Sequence, residues 1–436
     1  IRYVAVTGVQ TCALPIWRTP LDALTDDQHG HPQYLALEAR DRALVRAMLA
    51  AALRHRGEIE AALGVLVDRP LPANAAALHS ILHVTAAQIL YLDVPNHAAV
   101  DVAVTLARED PRARRFAGLV NAVLRRLSRQ GPATALAAPR SNVPAWFVDM
   151  LDGAYGREKT DAILAVQATE APIDVTVKSD PQGWAERLGG VVLPAGTVRL
   201  GRLRGPFTEL PGFAEGEWWV QDVSASLPAR LLGDVSGKAV ADLCAAPGGK
   251  TAQLAWAGAE VTAFDISASR LARLASNLAR LGLSARLVEA DLLRHQPEQV
   301  FDAVLLDAPC SSTGTIRRHP DVAWTKTEQD VLKLARLQGR LLARAATFVR
   351  PGGILVFSNC SLDPREGEAI ARAFLADHPD FKAAPIIAEE ISGLSHLVTG
   401  EGFLRSTPAD MPVEGDACGG MDGFFAARFR RALSKQ

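Results

Sequence analysis

The chain has 436 residues, 48% hydrophobic and 22% charged, with a formal net charge of −1, which are ordinary globular proportions with room for two or three domains. No stretch approaches the ~18 consecutive apolar residues of a membrane-spanning helix. The five cysteines (12, 244, 310, 360 and 418) are odd in number and contain no C-x-x-C. This argues against a disulfide framework or a zinc site and for a reduced, cytoplasmic protein.

Residues 1–16 (IRYVAVTGVQTCALPI) are apolar without periodicity, basic n-region or A-x-A site, so they make a poor signal peptide. They resemble translated sequencing-adapter text. They are set aside with Cys12 as non-native, and the natural N-terminus is expected to be missing.

Residues 33 to about 135 read as helical. Leu44, Val45, Met48, Leu49, Ala52 and Leu53 follow the 3.6 period over 38–54. Pro70 and Pro72 interrupt, and a helix resumes over 73–92. Phe116, Leu119, Val120, Val123, Leu124 and Leu127 stripe a further helix. Arg108, Arg112, Arg114, Arg115, Arg125, Arg126 and Arg129 put seven arginines into 22 residues against Glu109 and Asp110. That cluster reads either as a solvated face or as a phosphate-binding ridge suited to the guanidinium fork. His79 and His83 lie one turn apart without the intervening Glu of H-E-x-x-H, and read as ordinary helix histidines rather than a metal pair.

Residues 130–144 are rich in Pro, Ala and Ser and read as a linker. A small α+β segment is expected next: a helix over 143–169, strands over 173–177, 196–203 and 217–220, and a short helix over 182–188. Arg199, Arg202 and Arg204 form a second basic patch open to the same two readings. From Gly237 onward strands (239–244, 260–266, 285–290, 301–308, 353–359) alternate with helices (251–257, 267–281, 327–348, and one containing 370–375). That alternation predicts a parallel, doubly wound sheet with its ligand at the carboxyl ends of the strands.

Chemistry gathers at those ends. Cys244-Ala245-Ala246-Pro247-Gly248-Gly249-Lys250 links a strand to a helix, where small residues admit a ligand close to backbone and the helix start offers free N–H groups. It is neither a Walker loop nor G-x-G-x-x-G, and alone it also reads as a tight turn. Asp265 follows Asp242 by 23 residues, near the ~20-residue offset at which a carboxylate accepts from ribose hydroxyls. Asp291 and Asp307 stand at the next two strand ends. Each carboxylate alone could be a helix cap. Together, without a pyrophosphate cradle, they indicate the adenosine of S-adenosylmethionine. Cys310 and Cys360 end two strands on the same expected face. A thiol beside that cofactor suits methylation of a pyrimidine C5, a carbon too weakly nucleophilic until a thiolate adds to C6.

These residues resemble the Sun (RsmB) family of RNA cytosine-C5 methyltransferases. The similarity is carried by DLCAAPGGKT, FDIS, EADLL, FDAVLLDAPCSSTGTIRRHPDVAW, RPGGILVFSNCSLDPREGE and MDGFFAARF, with DAPCSSTG and the later NCS the most specific. The helical part resembles the NusB-like RNA-binding domain of bacterial 16S rRNA members. The resemblance implies a NusB-like all-α domain (17–135), a small α+β RNA-binding subdomain (140–220) and a Rossmann-like methyltransferase domain (221–436). It implies that residues 244–250 surround the methionine and ribose of the cofactor, that Asp265 takes the ribose hydroxyls, and that Asp291 lies beside adenine. Asp307 would help hold cofactor and base, with Lys250 a partner polarising the base. Cys360 would be the nucleophile and Cys310 would assist release. Two departures stand out: Asn359 replaces the usual Thr before the nucleophile, and Pro364-Arg365-Glu366-Gly367-Glu368 lacks the usual run of glutamates.

The expected activity is methylation of cytosine C5 in RNA, 16S rRNA above all, by a monomer that needs neither metal nor membrane. Two rivals remain: a DNA cytosine-C5 methyltransferase using Pro309-Cys310, and a non-catalytic RNA-binding assembly factor.

Overall fold

The computed structural model describes residues 20–26, 29–67, 70–72, 74–130, 139–201, 203, 205–391, 393–411 and 419–433. The expectations for residues 1–16 with Cys12, for most of the 130–144 linker, and for Arg202, Arg204 and Cys418 lie outside these residues. The chain divides into two compact units: residues up to Thr169 together with Ile316–Thr327, and Glu170–Thr315 together with the chain from Glu328 onward.

The first unit is helical. Its principal helices are α1 (Ala39–Arg54), α2 (Arg56–Leu66), α3 (Ala76–Tyr91), α4 (Asn96–Glu109), α5 (Ala117–Gln130), α6 (Ala145–Tyr155) and α7 (Arg157–Gln167). The stripes seen in sequence supply the core, which holds Val45, Met48, Leu49 and Leu53 of α1 and Val120, Val123, Leu124 and Leu127 of α5, with α3 packed against both helices. The helix expected over 143–169 is two helices, parted at Gly156, whose φ of +76° breaks the helical path. Within this unit the Trp324 indole donates to the Leu53 carbonyl (3.0 Å), and the Arg56 guanidinium lies 4.4 Å over its ring. All seven arginines of the 108–129 cluster are exposed. His83 is buried and bonded to the Ala52 carbonyl, and His79 to the Pro72 carbonyl, so both are ordinary helix histidines.

The second unit begins with β1 (Asp174–Val177), α8 (Pro181–Leu188), β2 (Val191–Val192), β3 (Val198–Arg199) and β4 (Trp218–Val220), an antiparallel sheet in the order β2-β3-β1-β4. The strand expected over 196–203 shrinks to two residues. Arg199 corrects the second basic patch: its side chain is 3% exposed and forks onto Asp174 (Nε–Oδ1 2.7 Å, Nη2–Oδ2 2.9 Å). The carboxylate across the β1–β3 pair neutralises it inside the core, so it offers nothing to RNA.

After α9 (Val223–Arg230) comes the large sheet: β5 (Ala239–Leu243), α10 (Gly249–Trp256), β6 (Glu260–Asp265), α11 (Ala268–Arg280), β7 (Arg286–Glu289), β8 (Phe301–Asp307), α12 (Glu328–Ala346), β9 (Val349–Asn359), α13 (Glu368–Asp377), β10 (Phe381–Ala383), β11 (Leu404–Ser406) and β12 (Phe424–Arg431). Its order is β10-β12-β9-β8-β5-β6-β7, with β11 also on β12. The strands from β7 to β9 run parallel, as expected, but β12 pairs antiparallel with β9, and β10 and β11 antiparallel with β12. The sheet is therefore mixed. Its order reverses at β5, with β6 on one side and β8 on the other, and a crevice opens there at the carboxyl ends. The loop 244–250 leaves β5 at that point.

Candidate active site

The turn after β5 is built for close approach. Cys244 holds φ +61° and Gly248 φ +104°. A side chain at Gly248 would put Cβ 2.7 Å from Leu274 Cγ, so only glycine lets α11 lie against the turn. The Asn277 amide donates to the Pro247 carbonyl (3.1 Å), and the Arg270 guanidinium to that of Ala246. Trp219 from the small sheet packs with Ala245, Ala246 and Leu274. Helix α10 starts at Gly249 and keeps Lys250 in its first turn.

A cavity of about 400 Å³ opens over this turn, lined among others by Trp219, Gln221, residues 245–250, Arg280 and Asp307. Three carboxylates stand at the ends of the adjacent strands β6, β5 and β8, and of these Asp307 lines the cavity. Asp242 is fully buried and accepts from the Thr251 hydroxyl (2.6 Å), while its Oδ1 has no partner. Burial pushes its carboxyl up to about 7. Asp265 is 2% exposed, accepts from the Ala246 and Ser267 N–H groups and lies 3.6 Å from Arg270. Asp307 accepts from Lys250 Nζ (2.7 Å) and from the Ser358 hydroxyl (2.9 Å). Asp291 is half-buried, accepts from the Leu293 N–H and faces Arg294 at 3.6 Å. Asp265 and Asp291 do not line the cavity, whereas Asp307 does.

This donor set fits S-adenosylmethionine: the turn offers backbone N–H groups at a helix start, and Asp307 brings a carboxylate to the cavity wall beside it. Burial, and after it the charges of Asp265, Asp307 and Asp242, push the Cys244 thiol up to about 12.

The reactive thiols lie on the other side of Asp307. Cys310 follows β8 and Cys360 follows β9, and pairing of those two strands brings their sulfurs to 3.4 Å. Both are free and half-buried. Ser312, held at φ +60°, puts its hydroxyl 4.0 Å from Cys310 Sγ; a left-handed non-glycine residue costs about 1–3 kcal/mol and is a mark of functional sites. The pair is asymmetric. The Cys310 hydrogen bond lowers the Cys360 pKa, the Ser312 hydroxyl and Lys250 charge add to that effect, and burial and Asp307 oppose it. Cys310 is raised by that same hydrogen bond, then by burial, the Cys360 charge and the Glu366 charge. The two shifts run in opposite directions and make Cys360 the more acidic thiol of the pair.

Sequence reading missed the supports. Gln221 lines the cavity and accepts from Trp219 Nε1 (2.9 Å) and the Thr176 hydroxyl (2.8 Å). The Lys250 ammonium sits 4.9 Å from the Phe424 ring centroid. Glu366, noted only as part of an acidic run, is fully buried beneath both cysteine loops. Nothing local marks these three, because their partners lie at long separations. Among the described residues no group of three or more His, Cys, Asp or Glu could hold a metal, and no helix is long and apolar enough to cross a membrane.

A crevice at the switch point of a mostly parallel sheet, lined by a glycine turn and Asp307, is the fold and site of an S-adenosylmethionine-dependent methyltransferase. Comparison with known proteins narrows the class. The family profile described as 16S rRNA methyltransferase RsmB/F matches residues 229–430, and that of the NusB family matches residues 14–129. "Ribosomal RNA small subunit methyltransferase B" of Salmonella arizonae is 36% identical over 84% of this chain and 90% of its own length. The protein of that name from Xanthomonas campestris is 39% identical over 81% and 83%. The crystal structure of PH0851 superposes with a TM-score of 0.74 over 98% of this chain and 99% of its own, a likeness of fold at 22% identity. The chain belongs to the RsmB/F family of 16S rRNA methyltransferases and carries a NusB-family domain ahead of its catalytic part. It is an S-adenosylmethionine-dependent rRNA methyltransferase.

Proposed function

We propose that the protein methylates C5 of a cytosine in 16S rRNA through a covalent adduct between Cys360 and C6. The observation that carries this reading is the Cys310–Cys360 contact of 3.4 Å beside the Asp307–Lys250 pair. One thiol that accepts and one that donates is the arrangement a two-thiol addition–elimination needs.

The Cys360 thiolate adds to C6, and the C5=C6 electron pair moves toward C4 and on to N3, leaving an enamine whose C5 is nucleophilic. Lys250, held by Asp307, faces the same strand ends and can donate to that developing charge. S-adenosylmethionine supplies the electrophilic methyl group that C5 takes. C5 then carries both methyl and hydrogen. The C5 proton passes to water, its C–H electron pair re-forms C5=C6, and the C6–S bond breaks to expel Cys360 as thiolate, a release that Cys310 assists by donating its S–H to the departing sulfur. Residues 244–250 would hold the methionine and ribose portions, and Asp265 and Asp291, at the next strand ends beyond the cavity wall, would take the ribose hydroxyls and the adenine edge. Attack on a base face requires an unstacked nucleotide, so the substrate is a loop or flipped cytosine. Two working thiols suit the reducing cytoplasm, and the exposed arginines of 108–129 suit phosphate contact.

The test is incubation with methyl-labelled S-adenosylmethionine and unmodified 16S rRNA, followed by nucleoside analysis. The reading expects 5-methylcytidine, abolished by Cys360→Ala. Label in any other nucleoside, or transfer that survives Cys360→Ala, overturns it.

A further inference from the structure

The two departures from the family pattern, Asn359 and the altered acidic run, meet in one buried cluster. Cys310 and Cys360 sit on loops 50 residues apart in sequence, and the residue after each is a serine. Both serines bond the same carboxylate: Ser311 donates its N–H (3.0 Å) and its hydroxyl to Glu366, and Ser361 its hydroxyl (2.6 Å). Gln338 of α12 supplies a further donor to Glu366 at 2.7 Å. Asn359, immediately before Cys360, donates from Nδ2 to Gln338 Oε1 (3.0 Å) and to the Glu366 carbonyl (2.7 Å). Its Oδ1 accepts the Ser361 N–H at 3.0 Å. Glu366, Gln338 and Ser361 are fully buried and Asn359 is 1% exposed.

This is a costly way to staple two loops. Every donor to Glu366 is neutral, no Lys or Arg pairs with its carboxylate among the described residues, and burial raises its pKa. A buried carboxylate without a cation is tolerated only where its hydrogen bonds are all made, and an apolar core would stabilise the fold more cheaply. What the carboxylate adds is registration: the two serine hydroxyls also meet each other (3.1 Å) and that of Thr313 (3.4 and 3.3 Å), and Glu366 is the ionisable group that gathers both post-cysteine residues. It also places negative charge on the Cys310 side of the pair, adding to the Cys360 hydrogen bond and the burial that raise that thiol.

We propose that Glu366 is the positioning residue of this active site, its carboxylate locking the Cys310 and Cys360 loops together so that the two sulfurs stay in contact, with Asn359 and Gln338 holding the carboxylate's own loop. The proposal rests on Cys360 being the nucleophile.

The experiment compares Glu366→Ala and Glu366→Gln with the unaltered protein in three readouts: cofactor affinity by calorimetry, kcat and KM with rRNA, and the pH profile of Cys360 alkylation by iodoacetamide, resolved by peptide mass spectrometry without RNA. The groups facing Cys360 in that profile are Cys310, Asp307 and Lys250. Glu366→Ala is expected to keep cofactor affinity and the KM for RNA within about threefold and to lower kcat by about a hundredfold. Its Cys360 alkylation midpoint moves to higher pH as the Cys310 hydrogen bond loosens. Glu366→Gln, which can still accept from the serines, recovers at least about tenfold of the lost kcat. Unchanged kcat and alkylation midpoint in Glu366→Ala overturn the proposal. So does loss of cofactor affinity in step with kcat without rescue by Gln, which is the signature of a scaffold residue. If Glu366→Ala does not fold, Ser361→Ala decides: a raised midpoint with lowered kcat supports the proposal, and neither change refutes it. The alkylation profile needs no RNA, so it reads the thiol pair even if the methylated base is not cytosine.

Discussion

Replacing Arg199 with Met separates a structural cation from an RNA ligand. Its guanidinium makes two bonds of 2.7 and 2.9 Å to Asp174, with side chains 3% and 0% exposed. Asp174 also accepts the Val223 N–H at 3.3 Å, which ties the small sheet to the start of α9. Removing one partner of a buried pair costs about 3–5 kcal/mol, because the other charge stays behind without its fork. In a unit of this size 1 kcal/mol moves Tm by about 2–4 °C, so the transition of the second unit should fall by about 6–20 °C. Adding Asp174→Leu to Arg199→Met should recover most of that loss. Differential scanning calorimetry reads both variants, and RNA affinity is measured against salt well below the lowered transition. Arg199→Met should leave the slope of log K against log salt unchanged. A Tm within about 1 °C of the parent together with a slope shallower by ~0.7–0.9, the value of one lost phosphate contact, would refute the buried-pair argument.

Asp242 gives a pH prediction. Folded, it keeps its proton to about pH 7, whereas the unfolded chain releases it near 3.8. The folded state therefore binds more protons across that interval, and stability falls as pH rises through it. The whole interval is worth about 4 kcal/mol, so Asp242→Asn should be the more stable protein at pH 8 and nearly equal at pH 4 by denaturant titration. Trp324→Ala removes the indole bond to Leu53 and the Arg56 contact; for a half-buried indole the cost is about 2 kcal/mol, seen as a lower first-unit transition. Converting Arg115, Arg125 and Arg129 to Gln should weaken rRNA binding and flatten its salt dependence without changing cofactor affinity. Lys250→Met should raise the Cys360 titration midpoint, since the Lys250 charge favours the thiolate, and lower kcat by about tenfold or more.

The catalytic strands were legible because each is a short apolar run closed by a carboxylate or a thiol, as in Ala303 to Asp307, and because the helices between them keep a clear 3.6 period. The glycine turn was legible from the side chains it lacks. Strand β12 was not: Phe424–Arg431 runs antiparallel to β9, and direction is set by pairing across some seventy residues of chain rather than by anything in the strand's own pattern. Arg199 looked in sequence like any surface arginine, because its burial is settled by Asp174 standing across the sheet and not by its own neighbours along the chain. Glu366 was visible as an acid but not as a brace. Ser311, Gln338 and Ser361 become its partners only when β8, α12 and β9 are in place.

The central claim is that the attacking sulfur belongs to Cys360 and the assisting one to Cys310. It is tested most directly by sequencing the peptide that stays bound to RNA when Cys310→Ala enzyme meets 16S rRNA and S-adenosylmethionine. The structure predicts a cytidine adduct on the peptide carrying Cys360, absent from the Cys310→Ala/Cys360→Ala double variant. An adduct formed by Cys360→Ala and mapped to Cys310, or no adduct from Cys310→Ala while methyl transfer continues, would contradict it.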